Sequence, residues 1–150
     1  MLVPSTKPAK LLEREVTGQI RDFLKQRGWR PVRHQRTVVQ GQFQSGEPGI
    51  PDYSFVHYLA RIHPGLALLV WVEMKGHTDR RKCNCHLRAI RGKRGKCTVC
   101  QQTDWRRNEE ARGALFGPGH DFDAFESWYW KQFAWLHDGR LPGQIEIFRG

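Results

Sequence analysis

The stretch that decides the fold is Leu66-Ala67-Leu68-Leu69-Val70-Trp71-Val72-Glu73-Met74-Lys75. Its apolar run is flanked by Pro64-Gly65 and Gly76-His77, which predicts a buried, central strand over 66–74. Because alternate side chains of a strand share one face, Glu73 and Lys75 are expected to emerge on the same side. A carboxylate and an ammonium at the end of a core strand are costly to bury, so the pair indicates a chemical role.

These residue types suit a hard metal ion. Mg²⁺ binds oxygen ligands, commonly one or two protein carboxylates together with several waters. The candidate ligands are Asp52 and Glu73, with the Met74 carbonyl between the two strand side chains. A metal here would polarise a phosphate and activate a bound water, while Lys75 would orient that water and offset developing negative charge. Glu13, on a preceding helix, is a candidate for a metal-bound water or a second ion.

Each of these motifs also has an ordinary structural explanation. Pro51-Asp52 alone is typical of a turn, and Glu73-x-Lys75 alone is typical of a solvated pair on an exposed strand. Glu13 lies two residues before Glu15, and a charged helix face would explain both. The order of the motifs and the apolar strand before Glu73 favour the metal site.

The chain resembles the PD-(D/E)xK nuclease superfamily, and most closely its VRR-NUC branch, over about residues 10 to 77. The resemblance lies in Glu13-x-x-Val16, Arg27-Gly28-Trp29, Gly49-Ile50-Pro51-Asp52 and Glu73-x-Lys75. It implies a restriction-endonuclease-like αβββαβ core and a Mg²⁺- or Mn²⁺-dependent DNA endonuclease. It also implies Asp52 and Glu73 as metal ligands, Lys75 as the catalytic lysine and Glu13 as an accessory acid. Members commonly carry a glutamine on the helix after the Glu-x-Lys strand, for which Gln101, Gln102 and Gln132 are candidates.

Apolar spacing and turn residues predict the other elements. Residues 1–8 are expected to be a flexible arm, followed by a single nuclease domain over 9–150. Helices are predicted over 9–27, 105–115 with Asp104 as N-cap, and 121–137. Strands are predicted over 29–40, 51–59 and 144–148 besides 66–74, with a polar loop over 40–49.

Cys83-x-Cys85 and Cys97-x-x-Cys100 hold all four cysteines of the chain as two close pairs. Such pairs are typical of a tetrahedral Zn²⁺ site, which would be structural and would staple an inserted subdomain over about 78–103. His86 could replace one sulfur; disulfides are the ordinary explanation of such pairs, and free or redox-active thiols are the remaining alternative to zinc. Residues 1–10 lack the apolar segment of a secretory leader, so the chain is expected in the cytoplasm; nucleoid association and a phage origin are both compatible with this.

The formal net charge of +10 favours a polyanionic partner. Between residues 80 and 96 the chain has no acidic residue and eight basic ones: Arg80, Arg81, Lys82, Arg88, Arg91, Lys93, Arg94 and Lys96. Beside a phosphodiesterase site this segment would bind the DNA backbone, although a solvated basic loop is the ordinary explanation. No apolar run is long enough to predict a membrane span.

Two classes of function therefore remain open. The favoured one is a metal-dependent DNA endonuclease, with branched or flapped DNA as a candidate substrate and a homodimer as one arrangement for cutting two strands. An RNA substrate is compatible with the same chemistry. The other class is a non-catalytic, zinc-containing module that binds nucleic acid and whose carboxylates only cap strands.

Overall fold

The computed structural model describes residues 11–34, 37–39, 42–44, 49–77 and 81–138. The predicted arm at 1–8 and the predicted strand at 144–148 lie outside this part of the chain. The helices are α1 (Glu13–Gln26), α2 (Cys85–Ile90), α3 (Thr98–Ala111) and α4 (Phe122–Asp138). The strands are β1 (Arg30–Arg33), β2 (Thr37–Val39), β3 (Gln42–Gln44), β4 (Tyr53–Tyr58), β5 (Ala67–Val72) and β6 (Leu115–Gly117).

Four strands form one mixed sheet in the order β1-β4-β5-β6. β1 pairs antiparallel with β4 and β4 pairs antiparallel with β5, whereas β6 joins β5 in parallel. Parallel neighbours require a crossover, which here contains α2 and α3. The expected mixed α/β class is confirmed, and the predicted central strand corresponds to β5.

α1 packs on this sheet because its apolar residues recur at helical spacing. Val16, Ile20 and Leu24 are buried on its inner face. At the start of the helix, the Glu15 carboxylate accepts a hydrogen bond from the Leu12 N–H at 2.7 Å. At the end, Gly28 takes a positive φ of 83°, which glycine adopts without steric cost. The predicted first helix is therefore confirmed over Glu13–Gln26, whereas Leu11 and Leu12 precede it.

The main core lies between one face of the sheet and the helices α1 and α4. Its largest buried side chains include Ile20, Leu24, Phe55, Met74, Phe125, Tyr129 and Phe133. The Trp29 indole N–H donates to the Tyr129 hydroxyl at 3.0 Å, and that hydroxyl lies 2.9 Å from His137 Nε2. This polar chain ties the segment after α1 to the last described helix.

The opposite face of the sheet is partly covered by α3. Trp105 packs edge-on against Trp71 and Phe116, with ring centroids 4.8 and 5.9 Å apart. Trp105 is the one buried residue of α3, which explains why apolar spacing gave no helix signal over the first half of that helix. No helix in the described ranges has the length and apolar character needed to span a membrane.

Three element predictions were wrong. The strand predicted over 29–40 is divided, and residues 42–44, expected in a loop, form β3. The reason is that β2 pairs with β3 in a separate hairpin, with Thr37 opposite Gln44, so its hydrogen bonds are local. The helix predicted over 105–115 begins earlier, at Thr98, and ends at Ala111, while Leu115 belongs to β6.

Asp104 was predicted as an N-cap but lies inside α3, where it forms an ion pair with Lys96. Cys97 is the actual N-cap residue of that helix. The predicted end of the inserted subdomain at 103 therefore falls within α3. By contrast, α4 matches its prediction and begins after Asp121, whose carboxylate accepts the Asp123 N–H at 2.8 Å.

Candidate functional site

The strand pairing brings Asp52 and Glu73 to adjacent positions at one end of the sheet. Tyr53 on β4 pairs with Val72 on β5, so extending the register by one residue sets Asp52 opposite Glu73. Asp52 is half-buried, and its carbonyl accepts the His34 N–H at 2.8 Å, which continues the β1–β4 pairing. Asp52 thus precedes β4 and Glu73 follows β5, and because these strands are antiparallel both acids lie at the same end of the sheet.

The expected alternation after β5 is present. Met74 is 1% exposed and points into the core, whereas Glu73 and Lys75 lie on the other side of the chain. Lys75 Nζ donates to Glu73 Oε1 at 2.6 Å. The Glu73 side chain is 24% exposed and the Lys75 side chain 20% exposed, so this ion pair is shielded from most of the solvent.

Gln102 completes this cluster from α3. Its side-chain amide donates to the same Glu73 Oε1 at 2.5 Å. Among the three glutamine candidates, Gln102 is therefore the one that contacts Glu73. Gln132 is an exposed residue of α4.

The second carboxylate oxygen of Glu73 is different from the first. Oε2 is buried and has no hydrogen-bond partner within the described ranges. Burial raises the pKa of Glu73, and the nearby negative charge of Asp52 raises it further, although hydrogen bonding by Lys75 opposes the shift. A buried carboxylate oxygen without a donor, beside a second acid, has the electrostatic environment that a cation would stabilise.

Glu13 is the first residue of α1, and the start of that helix lies against the segment after Lys75. Leu11 and His77 are joined by hydrogen bonds in both directions, His77 N–H to the Leu11 carbonyl at 3.2 Å and Leu11 N–H to His77 Nδ1 at 3.3 Å. A Cβ on Gly76 would lie 3.0 Å from the Glu13 backbone nitrogen, so glycine allows this close approach. Unlike Glu15, which caps the helix, the exposed Glu13 carboxylate enters no hydrogen bond or ion pair with the described residues.

Two further glycines allow backbone segments to close around the acids. The Lys75 N–H donates to the Gly119 carbonyl at 2.9 Å, and a Cβ on Gly119 would overlap the Glu73 carbonyl. Gly49 has a positive φ of 89°, and a Cβ there would overlap the Gln101 carbonyl of α3. The loop before Asp52 and the chain around Glu73 are therefore packed against neighbouring backbone.

The acids are adjacent but do not form a compact ligand set. Among the described residues, one group of three or more candidate ligands has donor atoms that all lie within 4.8 Å of one another. It consists of Cys83, Cys85, Cys97 and Cys100. Glu13, Asp52 and Glu73 do not meet that geometry. His34 was not identified from the sequence, and its Nε2 lies 2.8 Å from Ser54 Oγ on the face that carries Asp52.

The four cysteines come together from two turns. Cys85 begins α2, Cys97 caps α3, and Cys100 lies in the first turn of α3. The Sγ atom of Cys100 is 3.4 Å from that of Cys83 and 3.7 Å from that of Cys85. A tetrahedral zinc–thiolate site separates its sulfurs by about 3.8 Å, so the cluster could bind a metal such as zinc. All four thiols are free, and His86 is not needed to complete the set.

The electrostatics of the cysteine cluster also fit a cation. Backbone hydrogen bonds from Asn84 and Cys100 lower the pKa of the Cys97 thiol to about 6. Hydrogen bonds with Cys83 and then Cys85 raise the pKa of the Cys100 thiol to about 12. Four thiolates at this spacing would repel one another unless a cation neutralised them.

Most of the predicted basic residues surround the cysteine cluster. Arg91, Lys93 and Arg94 are exposed on the turn after α2, whereas Lys96 is engaged with Asp104. A cavity of about 370 Å³ at the start of α3 is lined in part by Arg81, Lys82 and Arg88. Arg80 lies outside the described residues.

The comparisons with known proteins add no relatives. No family model matches the chain, and neither the curated proteins nor the solved structures yield a similar protein. Functional inference therefore rests on the chemistry of the two clusters.

Proposed function

We propose that the chain is a Mg²⁺- or Mn²⁺-dependent endonuclease of the PD-(D/E)xK type that hydrolyses DNA phosphodiester bonds. The observation that carries this proposal is the state of Glu73. One oxygen accepts hydrogen bonds from Lys75 and Gln102, and the other is buried without a partner next to Asp52. Perturbed carboxylates of this kind cluster at functional sites, which supports the proposal.

The order of the elements supports the same proposal. Apart from the β2–β3 hairpin after β1 and the short helix α2 before α3, the chain order is helix α1, antiparallel strands β1, β4 and β5, helix α3 and parallel strand β6. That order is the one which the resemblance to PD-(D/E)xK nucleases implies for the core. The acids in such a core would come from the ends of its second and third strands, which are the positions of Asp52 and Glu73.

Glu73 and Asp52 fit a hard divalent cation. Carboxylate oxygens are the ligands that Mg²⁺ and Mn²⁺ prefer, and Glu73 Oε2 has no competing donor among the described residues. When bound, the ion would supply Lewis-acid polarisation of the scissile phosphate and activation of a water. Glu13 would reach the site through water, because its carboxylate is exposed at the start of α1.

The remaining chemistry belongs to side chains of this chain. Lys75 Nζ lies 2.6 Å from Glu73 Oε1, and its ammonium group would neutralise charge that develops on the phosphate oxygens. Gln102 and Lys75 both donate to Glu73 Oε1. These two hydrogen bonds fix the carboxylate rotamer and leave Oε2 without a donor among the described residues. Exposed cations on the turn after α2 would bind the sugar–phosphate backbone on either side of the cut.

The test compares cleavage of plasmid and branched DNA by wild type, Asp52→Asn and Lys75→Ala. Both variants should lose at least about 100-fold in rate, because each removes a group that acts in the transition state. Lys131→Ala is the matched control, since Lys131 is an exposed lysine of α4 away from the cluster. Equal residual cleavage in all four proteins would assign the activity to a contaminant and remove the proposal.

The second candidate is a non-catalytic nucleic-acid-binding module organised by zinc. It is favoured by one observation, the compact cysteine set, whereas the acids do not form a set of comparable geometry. Calorimetry with Mg²⁺ on zinc-loaded protein distinguishes the two candidates. The nuclease should show a binding isotherm that Asp52→Asn abolishes, and the module should show none.

A further inference from the structure

We propose that the four-cysteine cluster positions Gln102 against Glu73, so that the acid site depends on metal bound by the cysteines. This inference rests on the proposed function for its catalytic consequence, but its structural part can be measured separately. It assigns to the cysteine cluster a role beyond stapling a surface segment.

The link between the two sites is the first part of α3. Cys97 caps this helix, Cys100 lies in its first turn, and Gln102 follows two residues later. At 1.5 Å of rise per residue, Gln102 is about 3 Å further along the helix axis than Cys100. Because a helix of this length is rigid over one turn, fixing the sulfur of Cys100 also fixes the position from which Gln102 reaches Glu73.

Besides the contacts of Gln101 with Gly49 and of Gln102 with Glu73, the rest of the molecule anchors this end of α3 only weakly. Trp105 is the one buried residue of α3, and α2 contributes no buried residue at all. The ion pair between Lys96 and Asp104 is exposed, and exposed pairs contribute little to stability. A metal held by four thiolates would therefore be the main restraint on the residues before Trp105.

Glu73 touches this segment directly, and Asp52 is linked to it through the preceding turn. Gln102 donates directly to Glu73 Oε1. The Gln101 carbonyl packs against Gly49, which begins the turn leading to Asp52. If the cysteines release their metal, the hydrogen bond to Glu73 and the support for the turn before Asp52 should weaken together.

The first experiment removes zinc from wild-type protein with a zinc-selective chelator and follows hydrogen exchange. Amides of α3 from Val99 to Trp105 should exchange faster, while those of α1 and α4 should keep their protection. The side-chain amide resonance of Gln102 should move to the position that it has in a zinc-loaded Glu73→Ala variant. Unchanged protection of α3 and an unchanged Gln102 resonance in the zinc-free protein would overturn the proposal.

The second experiment breaks the link while the metal stays in place. Gln102→Ala should retain one zinc per chain but lose about 10- to 100-fold in Mg²⁺ affinity and in cleavage, as removal of a ligand-orienting group commonly does. Zinc removal should then add little further loss in this variant, because both changes remove the same contact. The result that contradicts the proposal is additive loss, or wild-type Mg²⁺ affinity in Gln102→Ala.

Controls separate this inference from the proposed function. His86→Ala changes an exposed histidine beside Cys85 and should affect neither zinc content nor the Gln102 resonance. Cys83→Ser with Cys97→Ser should reproduce the zinc-free exchange pattern without any chelator. If wild type cuts no DNA, the nuclease proposal fails, yet hydrogen exchange and the Gln102 resonance still decide whether the cysteine cluster positions Gln102.

Discussion

Gln102 and Glu73 are joined by a hydrogen bond of 2.5 Å although 29 positions separate them in the sequence. The bond connects the crossover helix α3 to the end of the central strand β5. Lys75 shares the acceptor oxygen, so the carboxylate is held from the strand and from the helix at once. The orientation of Glu73 is therefore a property of the tertiary fold, not of the Glu-x-Lys motif alone.

The raised pKa of Glu73 gives stability a defined pH dependence. The folded protein holds the Glu73 proton more tightly than the unfolded chain does, mainly because the carboxyl is buried. The stabilising contribution of this group is therefore present below the ordinary glutamate pKa and is lost as pH rises through the raised, folded-state pKa. In Glu73→Gln that loss is absent, so the free energy of unfolding of wild type minus that of the variant should fall as pH rises.

Urea denaturation of both proteins at several pH values between about 4 and 8, without divalent ions, measures this difference. Glu126→Gln, on α4, removes the same kind of carboxyl group elsewhere and is the control. A difference that grows in favour of wild type with rising pH would mean that Lys75 and Gln102 outweigh burial.

Tyr129→Phe should destabilise the fold by about 1–3 kcal/mol, the usual cost of leaving a buried donor without an acceptor. The Trp29 indole N–H loses its partner, and Trp29 is only 2% exposed. Burial lowers the pKa of His137, so its neutral ring can accept a hydrogen bond from the Tyr129 hydroxyl. Tyr58→Phe serves as the control, since Tyr58 is 56% exposed and should change stability by less than about 0.5 kcal/mol.

Gly119→Ala should cost about 1–3 kcal/mol and slow DNA cleavage, because the added methyl group would push against the Glu73 carbonyl. Gly18→Ala is the matched substitution, as a Cβ at Gly18 meets no atom within 4 Å in a helical segment. It should stabilise the protein by about 0.5–1 kcal/mol. Thermal unfolding and cleavage assays on both variants check the pair, and equal stability of the two would refute the steric argument.

The exposed cations after α2 should contribute to DNA affinity through salt-dependent contacts. Lys93→Gln and Arg94→Gln should each weaken binding and reduce the slope of log affinity against log salt concentration by about one. Lys131→Gln on α4 removes the same kind of charge elsewhere and should leave the slope unchanged. Fluorescence anisotropy in Ca²⁺ at several salt concentrations gives the slopes, and equal slopes in all variants would remove this surface from the interface.

Local patterns in the sequence were sufficient for the strands and helices whose apolar faces are buried. β5 and the shared side of Glu73 and Lys75 followed from strand alternation, and α1 and α4 followed from helical spacing. The clustering of the four cysteine sulfurs followed from the spacing of these residues in the sequence. In each case the physical signal lies within a few neighbouring residues.

The remaining features depend on contacts that local patterns do not encode. α3 buries Trp105 alone, so apolar periodicity could not locate its start at Thr98. The choice of Gln102 over Gln101 and Gln132 depends on where the crossover helix meets β5. β2 and β3 are three residues each and pair only with one another, which left too short an alternating pattern to separate them from β1.

The parallel pairing of β6 with β5 has a consequence for biosynthesis. Strand β6 and the backbone of Gly119, which accepts the Lys75 N–H, follow the crossover, and α4 supplies Phe125, Tyr129 and Phe133 to the core. A nascent chain that has emerged from the ribosome only as far as β5 lacks every one of these partners. The acids should therefore reach their final arrangement late in translation, after α4 has emerged, and under the proposed function incomplete chains would not cut nucleic acid.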